Sequence, residues 1–222
     1  MMKRLIVPGV SGSEAQHWQS WLQQVLPDAE RVEQQNWHQP ILQQWVGQLV
    51  KALQQQNKPV QIVAHSFGCL TSIAALKQHP ELASAVDSLI LVAPANPERF
   101  SSTGLRQSGQ ASIAEFLPNA LAGTSLPVPS LLIASQTDPW LDFESAKALA
   151  SQWQSALVDL GNAGHINVAS GFGAWPQLLP YLDLIRSGSS PFASSPVRPS
   201  LNHNPRMRDL TPVQQFQFSR SF

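Results

Sequence analysis

Short strand-like runs recur along this chain with room for one helix between each pair, and that alternation restricts the possible folds more than any other feature. The runs are Arg4–Val7, 30–33, 60–64, 89–93, 131–135 and Ala156–Asp159. Between the first three, Trp18, Trp21, Leu22, Val25 and Leu26 form one stripe at helical spacing, and Ile41, Leu42, Trp45, Val46, Leu49, Val50 and Leu53 form another. A third helix is predicted right after Ser66, turning Leu70, Ile73, Ala74 and Leu76 inward. A fourth is predicted over 143–153 with Asp142 as N-cap, and a last over 175–185 with Pro176 in its first turn. Near-continuous apolar strands separated by amphipathic helices predict a three-layer, doubly wound α/β fold on a mostly parallel six-stranded sheet.

Two stretches break the pattern. Residues 94–129 mix Gly, Ser, Pro and short apolar pieces. In this architecture they fall at the C-terminal edge of the sheet, where substrates bind, and are expected to form a lid or pocket wall. Residues 187–222 shift to Ser, Pro, Asn and Arg without periodicity and are expected to be a disordered tail, leaving 1–186 as one catalytic domain. That tail carries four arginines against one aspartate, so a weak electrostatic tether competes with an inert extension.

Charge narrows the classes of partner. Fourteen basic residues balance 14 acidic ones, so no basic footprint calls for nucleic acid or an anionic membrane. A small neutral substrate is the expected partner, and nothing in the sequence points to a protein partner. The single cysteine, Cys69, excludes an intramolecular disulfide and is read as a small buried hydrophobe. The apolar run at 5–7 is too short for a secretory segment, and Pro, Gly, Gln or Ser interrupts every stretch that could approach a bilayer span. A cytoplasmic protein is expected.

The strongest chemical signal is Val63-Ala64-His65-Ser66-Phe67-Gly68, at the end of a strand and the start of a helix. A sharp strand-turn-helix lifts a serine Oγ out of the sheet, and it needs small residues two positions either side. Ala64 and Gly68 supply them, with alanine standing where the G-x-S-x-G pattern has its first glycine. Ser66 is therefore the candidate nucleophile. Its partners should follow in the order acid, then histidine. Asp138 comes just past the strand at 131–135 and is the candidate acid, with Asp142 in reserve; His165 follows the strand Ala156–Asp159 on a small-residue loop and is the candidate base. For the oxyanion, the N–H of Phe67 should be joined by a donor from Pro8-Gly9-Val10-Ser11-Gly12-Ser13, with Val10 first and Ser11 next. His65 should point away from Ser66 Oγ and is not counted as a base.

These segments, together with His17-Trp18-Gln19, Val32-Glu33-Gln34, Asn36-Trp37, Ser135-Gln136-Thr137-Asp138-Pro139 and Asn162-Ala163-Gly164-His165-Ile166, resemble the serine hydrolase family named after retinoblastoma-binding protein 9. The likeness runs over about residues 3–184. It implies a minimal α/β-hydrolase fold without the first antiparallel strands, no metal or cofactor, and the Ser66, Asp138 and His165 roles given above. It leaves ester and peptide cleavage both open. It also places His17, Trp18 and Trp37 near the first loop. His17 or Trp37, with Ser11, is expected to line the substrate pocket, while helix packing is the other account of both tryptophans.

Two other classes compete. A dinucleotide site would need G-x-G-x-x-G after the first strand, but the chain reads Gly9-Val10-Ser11-Gly12-Ser13-Glu14 and puts a carboxylate where the pyrophosphate would sit. The six histidines include no H-x-H or H-E-x-x-H spacing, so no metal site is expected. The remaining rival is a protein-binding module that kept the fold with vestigial catalysis.

Overall fold

The computed structural model describes residues 2–116 and 125–185. Six strands form one sheet: β1 (Arg4–Val7), β2 (Ala29–Arg31), β3 (Val60–His65), β4 (Val86–Val92), β7 (Ser130–Ala134) and β8 (Ala156–Asp159). Their order is β2-β1-β3-β4-β7-β8 and every pairing is parallel. The chain thus starts inside the sheet, winds outward to β2, and then crosses back to build the other side, as a doubly wound α/β fold does.

Alternate residues of each strand face opposite sides, and both sides are covered. Leu5, Val7, Ile62, Ala64, Leu89, Leu91 and Leu132 pack on one side with helices α2 (Leu42–Gln54), α3 (Phe67–Gln78) and α5 (Phe143–Trp153). Ile6, Val63, Ile90, Val92, Leu131 and Ile133 pack on the other with α1 (Trp18–Val25) and α6 (Leu179–Leu184). Helix α3 is buried from Phe67 to Leu76, more than the one-sided stripe expected of it. It crosses the middle of the sheet under α2, so no face reaches water. Asp142 caps α5 as expected, its carboxylate accepting the N–H of Ser145.

Several boundaries differ from the sequence reading. Strand β2 stops at Arg31, two residues early, because β1 is its only neighbour and the N–H of Val32 makes the final bond, to Ile6 O. Strand β4 begins at Val86, three residues early: Asp87 and Ser88 interrupt the apolar run, yet Ser88 Oγ accepts from buried Gln61 on β3. Val25 belongs to the apolar stripe of α1 but is 40% exposed at its end. The segment 175–185 is a 3-10 turn (Pro176–Leu178) leading into α6 rather than one helix.

Within 94–129, the chain forms a small antiparallel ribbon of β5 (Phe100–Ser101) and β6 (Gly104–Leu105), then the short helix α4 (Ile113–Phe116). Residues 117–124 of that wall, and the tail 187–222, lie outside the described residues. Among the described residues no helix is long and apolar enough to cross a membrane.

Candidate active site

Ser66 stands between β3 and α3 with φ 55° and ψ −122°, a conformation that side-chain-bearing residues rarely adopt and that costs on the order of 1–3 kcal/mol. Close packing enforces it. A Cβ on Gly68 would run into the carbonyl oxygens of Val7 and Pro8, so only glycine lets α3 start against the end of β1. The N–H of Ser66 donates to Val92 O (3.1 Å), tying the turn to β4.

The ends of β7 and β8 bring two more side chains to this point. His165 Nε2 lies 2.9 Å from Ser66 Oγ, and His165 Nδ1 lies 2.9 Å from both oxygens of Asp138. All three are withdrawn from solvent: Ser66 and His165 are 6% exposed and the Asp138 side chain 3%. A carboxylate only accepts, so Nδ1 carries the imidazole proton and Nε2 is left to accept from the serine hydroxyl. Asp138 is itself fixed by the N–H of Trp140, which donates to Oδ1 (2.8 Å). Asp142, the reserve acid, takes no part, because its carboxylate is spent on Ser145 at the exposed start of α5.

Residues to which the sequence assigns no role hold these loops. Ser135 Oγ donates to Gly161 O and accepts from the N–H of Ala163, stitching the acid loop to the histidine loop. Ser170 Oγ accepts the N–H of His165. Trp140 tilts over the His165 ring at 5.8 Å, and Arg99 sits over Trp140 at 4.9 Å while donating to Pro139 O. No local pattern marks these serines, because each acts across a fold-dependent contact. Pro139-Trp140 beside the acid was the one signal in the sequence for the aromatic wall.

A cavity of about 210 Å³ opens at Ser66 and His165. Val10, Ser11 and His17 line it, with His65, Trp140 and Asn167. The N–H of Val10 carries no hydrogen bond among the described residues, and Phe67 opens α3, so its N–H has no acceptor inside the helix. The N–H of Ser11 is already taken by Trp37 O (2.7 Å), which removes it as the second oxyanion donor, although the residue lines the cavity. Trp37 is a correction: it lies outside the lining, because its indole packs edge-on against Trp45 of α2 and directly beneath Gly12. His17 is buried and caps α1, its Nδ1 accepting from the N–H of Gln19. Burial first, then the charge of Arg31 and the neighbouring His165, holds its pKa down to about 4, so it is a neutral imidazole at physiological pH. Among the described residues, no group of three or more His, Cys, Asp or Glu could hold a metal ion.

A family model described as serine hydrolase matches residues 4–184. The Bacillus subtilis strain 168 protein YdeN, named as a putative hydrolase, is 27% identical over a 177-residue alignment that covers 77% of this chain and 89% of that protein. A structure from Pectobacterium atrosepticum, named as a YdeN-like hydrolase, is 31% identical, covers 84% of this chain and 93% of its own, and superimposes with a TM-score of 0.70. Est1E of Butyrivibrio proteoclasticus, solved with ferulic acid, shares the fold at 13% identity and a TM-score of 0.56, over 75% of this chain and 82% of its own.

Proposed function

This chain belongs to the serine hydrolase family, and we propose that it cleaves the acyl ester or amide bond of a small substrate through Ser66, His165 and Asp138, without metal or cofactor, in the cytoplasm. The observation that carries this reading is the single hydrogen-bonded line from the Asp138 carboxylate through both nitrogens of His165 to Ser66 Oγ. As Oγ attacks the acyl carbon, its proton passes to Nε2. The resulting imidazolium is stabilised by the carboxylate at Nδ1. The carbonyl oxygen becomes an oxyanion facing the N–H groups of Phe67 and Val10, at the positive end of α3. His165 then returns the proton to the leaving group, and water activated by the same nitrogen releases the acyl group from Ser66.

Within the family, our proposal includes membership of the group named after retinoblastoma-binding protein 9, supported by the segments around Ser11, His17, Ser66, Asp138 and His165.

A fluorophosphonate probe tests the reading. Wild type should be labelled and Ser66→Ala should not. Correctly folded wild type that resists labelling would overturn it and favour a binding module that has kept the fold.

A further inference from the structure

His65 precedes the nucleophile, and the mechanism above gives it no part. It is nonetheless 5% exposed at the centre of a ring cluster, 5.0 Å from His17, 5.8 Å from Trp18 and 4.9 Å from His165, measured between ring centroids. Its Nε2 lies 3.0 Å from the backbone oxygen of His165. A carbonyl only accepts, so Nε2 carries the ring proton and donates it.

The segment that receives this bond needs holding. His165 lies in a loop, and the residue after it, Ile166, is β-branched yet sits at φ 48°, a left-handed conformation that persists only where its surroundings over-determine it. Three outside groups grip these two residues. Ser170 Oγ takes the N–H of His165 (3.0 Å), His65 holds its carbonyl, and Trp18 Nε1 donates to the carbonyl of Ile166 (2.8 Å). Of the three, only His65 is bonded in the chain to Ser66. It therefore links the nucleophile's turn to the base's backbone, and its ring packs beside the His165 ring at the edge of the cavity.

We propose that His65 is a positioning residue: its donated bond to the His165 carbonyl fixes the base relative to Ser66, so that Nε2 stays within reach of Oγ through both halves of the reaction. The inference rests on His165 being the base. A misplacement of about 1 Å at such a contact can reduce rate on the order of 100-fold. The bond is kept over the working pH range because burial, reinforced by His165 and His17, holds the His65 pKa well below its ordinary value, leaving one proton with one acceptor.

The experiment compares kcat and KM for p-nitrophenyl acetate in wild type, His65→Leu and His65→Gln, with thermal unfolding of each. Leucine fills similar space and cannot donate; glutamine can. The expected result is a fall in kcat of about 100-fold for His65→Leu with KM little changed, and recovery of most of that loss in His65→Gln. Wild-type kcat in a folded His65→Leu, or equal losses in both variants, would overturn the proposal. Imidazole ¹⁵N NMR of the wild-type protein provides a reading that needs no variant: the His65 proton should reside on Nε2 and exchange slowly, and an Nδ1 proton would overturn the proposal. His165→Ala separates the two layers of argument. If it is inactive while His65→Leu is normal, only the positioning role fails; if it turns over normally, the base assignment itself fails.

Discussion

Gly9 approaches Ser66 so closely that a Cβ on it would come within 2.7 Å of Ser66 Cβ and 3.2 Å of Oγ. The first loop thus forms one wall of the nucleophile's own space, which links the glycine loop after β1 to the chemistry at the end of β3. Gly9→Ala should lower kcat/KM by about 100-fold, because the serine must move while the rest of the sheet stays as it is. Steady-state rates read beside circular dichroism check this, and an active Gly9→Ala would show that Oγ has another position from which to attack.

Asp138→Asn is expected to be a much deeper lesion than its single-atom change suggests. The asparagine oxygen would keep the N–H of Trp140, and its amide would then donate to His165 Nδ1. That reverses the tautomer and leaves Nε2 facing Ser66 with a proton instead of a lone pair. A loss approaching about 10⁴-fold in kcat is expected. Asp142→Asn preserves a capping acceptor on an exposed helix start and should leave turnover unchanged. Comparable losses in the two variants would remove Asp138 from its assigned role.

The buried histidines set an acid limit on folding. The pKa of His17 is about 4 in the folded chain against an ordinary 6.5, so the unfolded chain takes up the proton first. Its contribution is therefore whole above about pH 6.5 and is lost as pH falls toward about 4, an effect on the order of 3 kcal/mol. His65 is shifted in the same direction and adds to the loss. Urea midpoints should fall steadily on acidification from about pH 7 to about pH 4.5, and less so in His17→Asn, which keeps a capping acceptor without a titrating ring. A midpoint independent of pH over that window would contradict the burial of both rings as neutral groups.

Gly47 offers the opposite kind of change. It lies on the exposed face of α2, away from the site, and a Cβ there would meet nothing within 4 Å. Gly47→Ala should stabilise the protein by about 1 kcal/mol through helix propensity, with no effect on turnover, as measured by denaturant unfolding and ester hydrolysis.

An apolar run is legible as a strand whether or not both its faces are buried: β1 is buried from Leu5 to Val7, while β8 falls where the sequence puts it although it is an edge strand with Leu157 and Asp159 exposed. Strand β4 reads short in the sequence because Asp87 and Ser88 interrupt its apolar run, and only the fold sets Gln61 beside Ser88. Ser66, Asp138 and His165 are legible because each follows the end of a strand, Ser66 and His165 among small residues and Asp138 before a proline, and the fold brings the three strand ends to one rim. Trp37 reads equally as pocket wall or helix contact, because an aromatic residue in a loop has the same local pattern whether it faces a cavity or a helix, and the structure places it against Trp45. The bond from His65 to His165 joins residues 100 positions apart, so nothing local to either could announce it.

The most direct test of the central claim is the fate of Ser66 during turnover. Wild type mixed with p-nitrophenyl acetate in a stopped-flow instrument should release a burst of nitrophenolate equal to the enzyme present. Acid quenching followed by peptide mass mapping should then find the acetyl group on Ser66. Hydrolysis with no burst and no acetyl group on that serine, or with the acetyl group on another residue, would contradict the account.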